Sequence, residues 1–350
     1  MGYDAASRLL RGTPTVAGDH VLKVHYRFAP AAPDRPELMS ECLLTVNADP
    51  RTLWQIQLSN RGAPGWKPDE DRKYMRGAGE RRLAAASKRG RSHAHVGGFR
   101  EDDFFLDASS GWNVLAVADG AGSATMSRRA SQIAVRTAGK LLVGALCGAP
   151  GRKLEEAAPM LDSQSPSAIH SVRKDAYNLL AKAAFEAYKA IEDEATPALV
   201  KDYSTTLILG VHKQVSEGPH LFASYWVGDG GVAAYRNRER VVVLGEADSG
   251  EFAGQTRFLD RPLVHSAEET MKRIRVALMP EFTSLVLMTD GVSDPKFETD
   301  RNMEDLSRWD AFWRELEPLL ADDAPDERLL EWLDFWSQGN HDDRTIAVLW

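Results

Sequence analysis

The sequence predicts an α+β fold built in layers, and three observations carry that prediction. Short apolar segments of strand character come in runs: 104–106 with 112–118, then 204–211, 220–227, 231–235 and 240–245, and finally 284–289 and 345–350. Long segments of helical spacing interrupt these runs at few places, 125–143, 171–194, 304–320 and 326–338, so regularly alternating βαβ units are not expected. Apolar segments also end in acids. Residues 112–118 run into Asp119-Gly120, residues 284–289 run into Asp290-Gly291, and the pair Asp342-Asp343 stands just before the last segment. Glycine admits a sharp turn and close approach of backbone to a ligand. Carboxylates gathered at strand ends supply the hard oxygen ligands that suit Mg²⁺ or Mn²⁺.

The 350 residues accommodate one large domain with a smaller one, or two domains. A hydrophobic share of 43% and a charged share of 27% are those of a globular chain. The net charge of -8 argues against a generic nucleic-acid partner, because affinity for phosphate backbones rests on clustered Lys and Arg. Cys42 and Cys147 have no metal-ligand spacing and read as small hydrophobes in a reducing compartment. Residues 1–19 lack a basic region followed by an apolar one, and no apolar stretch is long enough to span a membrane. A cytoplasmic protein without membrane attachment is expected.

Taken in order, residues 1–82 form an accessory segment with strand candidates at 21–28, 41–46 and 52–58, separated by Pro30, Pro33, Pro36 and Pro50. Residues 83–91 carry Lys88, Arg89 and Arg91 and read as a basic linker. Residues 92–350 read as the main domain. Its first helix places Ile133, Val135, Leu141 and Leu142 at helical spacing. Its second places Ala176, Leu179, Leu180, Ala183, Ala187 and Ile191 on one face, up to Pro197. Residues 148–167 read as loop. Residues 246–276 read as a polar flap or insertion, and the aromatic residues of 304–338 as packing groups.

The order Glu101-Asp102, Asp119-Gly120, Ser204-Thr205-Thr206, Gly228-Asp229-Gly230, Asp290-Gly291-Val292-Ser293-Asp294 and Asp342-Asp343-Arg344-Thr345 resembles the metal-dependent, type 2C protein phosphatases across 92–350. The segment 250–256 further resembles bacterial members associated with tellurite-resistance and stress operons. The resemblance implies an α-β-β-α sandwich with two central antiparallel sheets, beside the small β-containing N-terminal extension. It implies two Mn²⁺ or Mg²⁺ ions at one end, with a third, weaker site in some members. Asp119 would bridge two ions, the Gly120 carbonyl would bind one, and Asp290 and Asp342 would complete the other. The pattern favours Asp342 over Asp343. Asp229 and Asp294 match the weaker site. Asp102 would orient water held by the ions, and Glu101 would act likewise at a neighbouring water.

Two departures stand out. The position where many eukaryotic members carry a histidine after the Asp-Gly pair is Ala121. The family's phosphate-binding arginine falls near Gly97, which leaves Arg100 and His95 as first replacements, with His93 and Arg91 behind them. The resulting expectation is hydrolysis of phosphoserine or phosphothreonine in protein substrates by a water activated between two ions. A phosphoprotein-binding pseudophosphatase and a hydrolase of another phosphomonoester are the alternatives. By the same resemblance, a kinase or a von Willebrand-type protein is a candidate partner of the N-terminal part.

Overall fold

In the computed structural model, which describes residues 2–4, 6–27, 36–163, 165–216, 218–245 and 256–350, the chain divides into two units, Met1–Gln55 and Ile56–Trp350. In the first unit β1 (Gly2–Asp4) pairs with β2 (Leu9–Arg11). β3 (Gly18–Tyr26) pairs with β4 (Leu38–Val46), from Gly18 opposite Val46 to Tyr26 opposite Leu38. None of its described residues is buried. Of the strands expected at 21–28 and 41–46, the first is present to Tyr26, with residue 28 outside the described residues, and the second is present; they pair in one two-stranded ladder with no buried residue among those described. No strand forms at 52–58. A 3₁₀ turn, Pro50–Thr52, is followed by chain without regular structure.

The second unit runs β5 (Glu70–Arg76), β6 (Arg82–Lys88), α1 (Arg91–His95), β7 (Asp103–Ser109), β8 (Trp112–Ala118), α2 (Ser127–Leu146), α3 (Ala149–Ala157), α4 (Pro166–Glu194), β9 (Leu207–Gln214), β10 (His220–Val227), β11 (Gly231–Arg236), β12 (Arg240–Val243), α5 (Arg261–His265), α6 (Ala267–Lys272), β13 (Ile274–Met279), β14 (Ser284–Met288), α7 (Asp290–Phe297), α8 (Leu306–Leu320), α9 (Pro325–Trp332) and β15 (Arg344–Leu349). One sheet has the order β13-β10-β9-β8-β7 and the other β12-β11-β14-β15-β6-β5. All neighbouring pairs in both sheets are antiparallel.

Strand side chains alternate between faces, so a strand covered on both faces is apolar throughout. β8 shows this. Val114, Ala116 and Ala118 pack against α2 and α4, while Leu115 and Val117 enter the core between the sheets. β14 does the same in the other sheet. Leu285 and Leu287 meet the inter-sheet core, and Val286 and Met288 meet Trp309, Phe312 and Trp313 of α8. Three stacked cores thus give the expected α-β-β-α sandwich. The aromatic residues of 304–338 supply much of the outer one.

Several expectations are corrected. The basic linker at 83–91 is largely β6, bonded on one side to β15 and on the other to β5. Leu83, Ala84, Ala85 and Ala86 are fully buried, because small side chains let the strand lie between two cores. The main unit accordingly begins near 56, not at 92. The loop at 148–167 contains α3 and a 3₁₀ turn, Ala158–Ser163. A proline in the first turn of α3 costs no hydrogen bond there. Within 246–276, residues 246–255 lie outside the described residues, and the rest includes α5, α6 and the first half of β13. Both cysteines are free and exposed rather than packed. No single described helix is long and apolar enough to cross a membrane.

Candidate metal centre

The acids collect at one end of the sandwich because the strands that carry them end there. β8 delivers Asp119, β14 delivers Asp290, and the turn from β10 to β11 delivers Asp229. Their carboxylate oxygens lie within 4.8 Å of one another. The backbone of Asp119 is fixed by β9's lead-in. Its N–H donates to Thr206 Oγ1 at 2.8 Å, and its carbonyl accepts from Thr206 N and Thr205 Oγ1, both at 2.8 Å. The Ser204-Thr205-Thr206 run is thus a brace for the acid. Gly120 lies against Ser127 and the Glu101 carbonyl, where a Cβ would sit 2.8–2.9 Å from its neighbours. Gly291 is tighter still: a Cβ there would come 1.8 Å from the Asp343 carbonyl.

Asp102 is buried beside this group. Its carboxyl shares a hydrogen bond with Asp119, and its Oδ2 accepts from Thr289 Oγ1 at 2.7 Å. Burial first, then the charge of Asp343, pushes Asp102 up to about 7. Asp119 is held well above the usual carboxylate range by burial and by Asp102 and Asp290. Asp290 is held there by burial and by Asp229 and Asp342. Burial and Asp229 raise Asp294 to about 6, and burial and Asp343 raise the half-exposed Asp342. Asp229 Oδ2 accepts from Thr256 Oγ1, while its buried Oδ1 has no partner. An all-oxygen donor set, mutually repelling and with an orphaned buried oxygen, fits hard divalent cations. Asp119, Asp229 and Asp290 form the core of that set, and the Gly120 carbonyl, Asp342 and Asp294 flank it in sequence or charge.

A second group gathers His93, Asp342 and Asp343. Asp343 is buried and accepts from Gly90 N at 2.6 Å, from Glu101 N, and from His93, whose Nδ1 lies 3.0 Å from Oδ1. These donors keep its carboxyl below the usual range against the cost of burial. His93 Nε2 lies 3.9 Å from Asp342 Oδ1. Burial opposes the imidazolium, but Asp343, Glu101 and Asp342 outweigh it and raise His93 to about 10. Glu101, whose Oε2 is buried and unpartnered, rises to about 7, chiefly through burial and against the charge of His93.

Arg100 is already engaged inside the protein. Its guanidinium is buried and donates to Pro68 O at 3.0 Å, Ser87 Oγ at 2.6 Å and Asp102 O at 2.9 Å. Arg91 is engaged by Asp334 and Phe335. His95 belongs to neither acid group; its carbonyl accepts from Gln57 Nε2 at 2.6 Å. Of the four basic candidates, His93 is the one that the structure groups with the acids. Lys67 escaped the sequence reading altogether. Its buried ammonium donates to Asp102 O at 2.5 Å, Asp103 Oδ2 at 3.1 Å and Ser131 Oγ at 3.2 Å, fixing the backbone that carries Glu101 and Asp102. Burial lowers it to about 8 against the pull of Asp103. Its run of prolines and charges, 64–73, gives no local sign of burial.

A family model described as protein phosphatase 2C matches residues 89–334. The chain belongs to that family. It is by class a protein serine/threonine phosphatase of a metal-dependent kind. Among solved structures, a phosphatase from Toxoplasma gondii aligns at 12% identity over 80% of this chain and 95% of its own, with a TM-score of 0.51. Stp1, a serine/threonine phosphatase from Staphylococcus aureus, aligns at 14% identity over 84% and 97%, with a TM-score of 0.42. The S. agalactiae serine/threonine phosphatase aligns at 13% over 77% and 99%, with a TM-score of 0.45. No curated protein is significantly similar in sequence to this chain.

Proposed function

We propose that this chain removes phosphate from phosphoserine or phosphothreonine in proteins, using two Mn²⁺ or Mg²⁺ ions at the Asp119 cluster. The observation that carries the reading is the convergence of Asp119, Asp229 and Asp290 within 4.8 Å, from strands and turns of both sheets. Bound divalent ions supply charge neutralisation at phosphorus and a water of lowered pKa for in-line attack. Asp119, the Gly120 carbonyl, Asp290 and Asp342 would hold the two ions, with Asp229 and Asp294 serving a weaker third. Asp102, fixed by Thr289, orients water at that cluster. His93 presents a cation to the phosphoryl oxygens in place of an arginine. Glu101 Oε2, unpartnered and raised to about 7, is placed to hold a proton. A cleft of about 330 Å³ beside Asp229 and Asp294, walled by Phe297, Arg301 and Met303, can receive a neighbouring substrate residue. The free cysteines agree with a reducing, cytoplasmic setting. The first unit would serve as a tether for a protein partner, such as a kinase or a von Willebrand-type protein. The full acid set argues against a binding-only pseudophosphatase.

The test is hydrolysis of a phosphothreonine peptide with Mn²⁺. Activity that is lost with EDTA and falls at least about 10²-fold in both Asp119→Asn and Asp290→Asn supports the reading. A folded wild type that binds Mn²⁺ and leaves phosphopeptides intact, yet cleaves a small phosphomonoester, would replace it.

A further inference from the structure

Away from the acid cluster, the start of β10 and the ends of β9 and β15 meet around a second pocket. It measures about 750 Å³ and is lined by Arg81, Arg82, His212, Lys213, His220 and Trp350, among others. Asn113 of β8, His212 of β9 and His220 of β10 form a hydrogen-bonded chain that runs to it, although all three are buried. Three linked polar groups in a core call for a reason, because each must be satisfied there.

The direction of the chain is fixed from its inner end. Ala78 N–H donates to Asn113 Oδ1 at 2.7 Å. A backbone amide can only donate, so the oxygen of Asn113 is the atom that faces it and the amide nitrogen faces the other way. That nitrogen lies 3.0 Å from His212 Nδ1, which must accept. A ring that accepts at Nδ1 is neutral and carries its proton on Nε2. His212 Nε2 lies 3.0 Å from His220 Nδ1, so His220 accepts in turn and carries its proton on Nε2. Burial, with the nearby positive groups, independently favours neutral rings: His212 is held well below its usual range, and His220 falls to about 4.

His220 Nε2 faces Arg81 Nη2 at 3.5 Å. A guanidinium has no acceptor, so two donors meet and neither can accept from the other. Arg81 is itself half-buried and stacked on Phe282, 3.9 Å from the ring centroid. Among the described residues no carboxylate forms an ion pair with it. Lys213 is already paired with Glu155 at 2.8 Å. Glu80 also lines the pocket, exposed, and no hydrogen bond or ion pair joins it to Arg81 or His220.

We propose that this pocket binds a small oxyanion, the carboxylate or phosphate group of a metabolite, whose oxygens accept from Arg81 Nη2 and His220 Nε2. The site is independent of the metal centre and of the phosphatase reading. The volume leaves room for the rest of a small molecule.

The experiment is ring ¹H–¹⁵N correlation of the histidines in the full-length chain with Mg²⁺ present, with inorganic phosphate and malonate titrated separately. The ring signals report this pocket even where phosphate also reaches the metal centre. The expected result is an Nε2-protonated tautomer at both His212 and His220, and a saturable shift of the His220 ring that Arg81→Met weakens about tenfold or more. Saturation at lower phosphate than malonate would assign a phosphate ligand, and the reverse a carboxylate. Four results would overturn the proposal. One is an Nδ1-protonated His220 in the wild type, which closes the chain on Arg81. Others are no saturable shift with either anion, or a shift that Arg81→Met and Arg81→Lys both leave unchanged. The last is a ring shift on Glu80→Gln without any anion response, which would place that carboxylate in the pocket.

Discussion

His93 Nδ1 stands 3.0 Å from Asp343 Oδ1, and the same carboxylate also receives the N–H groups of Gly90 and Glu101. Asp343 therefore ties α1, the Glu101 backbone and the start of β15 into one knot. Its neighbour Asp342 is half-exposed, lies with His93, and adds its charge to that felt by Asp119 and Asp290. Adjacent residues of one type do two jobs, one structural and one of charge.

Removing the knot leaves His93 and two backbone donors without their acceptor. Asp343→Ala is expected to cost about 3–5 kcal/mol, as for other broken buried pairs. Asp343→Asn, which keeps an acceptor oxygen, should cost less. Urea unfolding of the metal-loaded protein measures both, and equal costs would show that the charge is what matters.

Lys67 and Asp103 form an ion pair with both side chains almost fully buried. Lys67→Met strands the Asp103 carboxylate and should destabilise by about 3–5 kcal/mol, while Lys67→Met with Asp103→Leu should recover part of that loss. Denaturant midpoints of the two variants check this.

Truncation should separate the units. Removing residues 2–55 is expected to leave a folded, active chain. Removing 2–82 takes away Lys67, β5 and the first residue of β6, and should prevent folding. Circular dichroism and phosphopeptide hydrolysis on both forms give the answer, and activity in the shorter form would return the boundary to the start of α1.

Stabilisation by cation should grow with pH. Asp102 and Glu101 near 7, Asp294 near 6, and Asp119 and Asp290 above the ordinary range are all raised relative to the unfolded chain. Without cation their folded forms bind more protons than the unfolded chain, so stability falls as pH rises from about 4 to about 7. Ions offset the charges that appear in that window. The gain in Tm on adding Mg²⁺ should therefore be small near pH 5 and larger at pH 8. A gain that is flat with pH would mean that the ion binds elsewhere.

Gly291→Ala would place a methyl 1.8 Å from the Asp343 carbonyl. The expected cost is about 1–3 kcal/mol or more, with Asp290 displaced and cation affinity reduced. Calorimetric titration with Mn²⁺ on the folded variant would show the second effect apart from the first.

The acid-tipped strands were legible because both of their faces are covered, so β8 and β14 read as apolar runs that stop at a charge. β6 was not, because Leu83 to Ala86 is short, small and flanked by arginine and lysine. Its burial comes from pairing with β15, some 260 residues away, which no local period records. Arg100 reads as a phosphate ligand because a guanidinium near an acid pair is ambiguous until its partners are known, and here they are carbonyls, Ser87 and Asp71. The chain Asn113-His212-His220 was invisible for the same reason: three strands bring together residues that share no motif.

Asp119 hangs from the five-stranded sheet, whereas Asp290 and Asp342 hang from the six-stranded one. Their spacing is thus decided by how Leu115, Val117 and Ile208 interlock with Leu285, Leu287 and Ala347 in the middle layer. Magnesium accepts only near-ideal octahedral geometry at short distances, and calcium tolerates looser cages. With the ions held by these acids as proposed, a substitution in that layer, touching no acid, would change which ion they prefer.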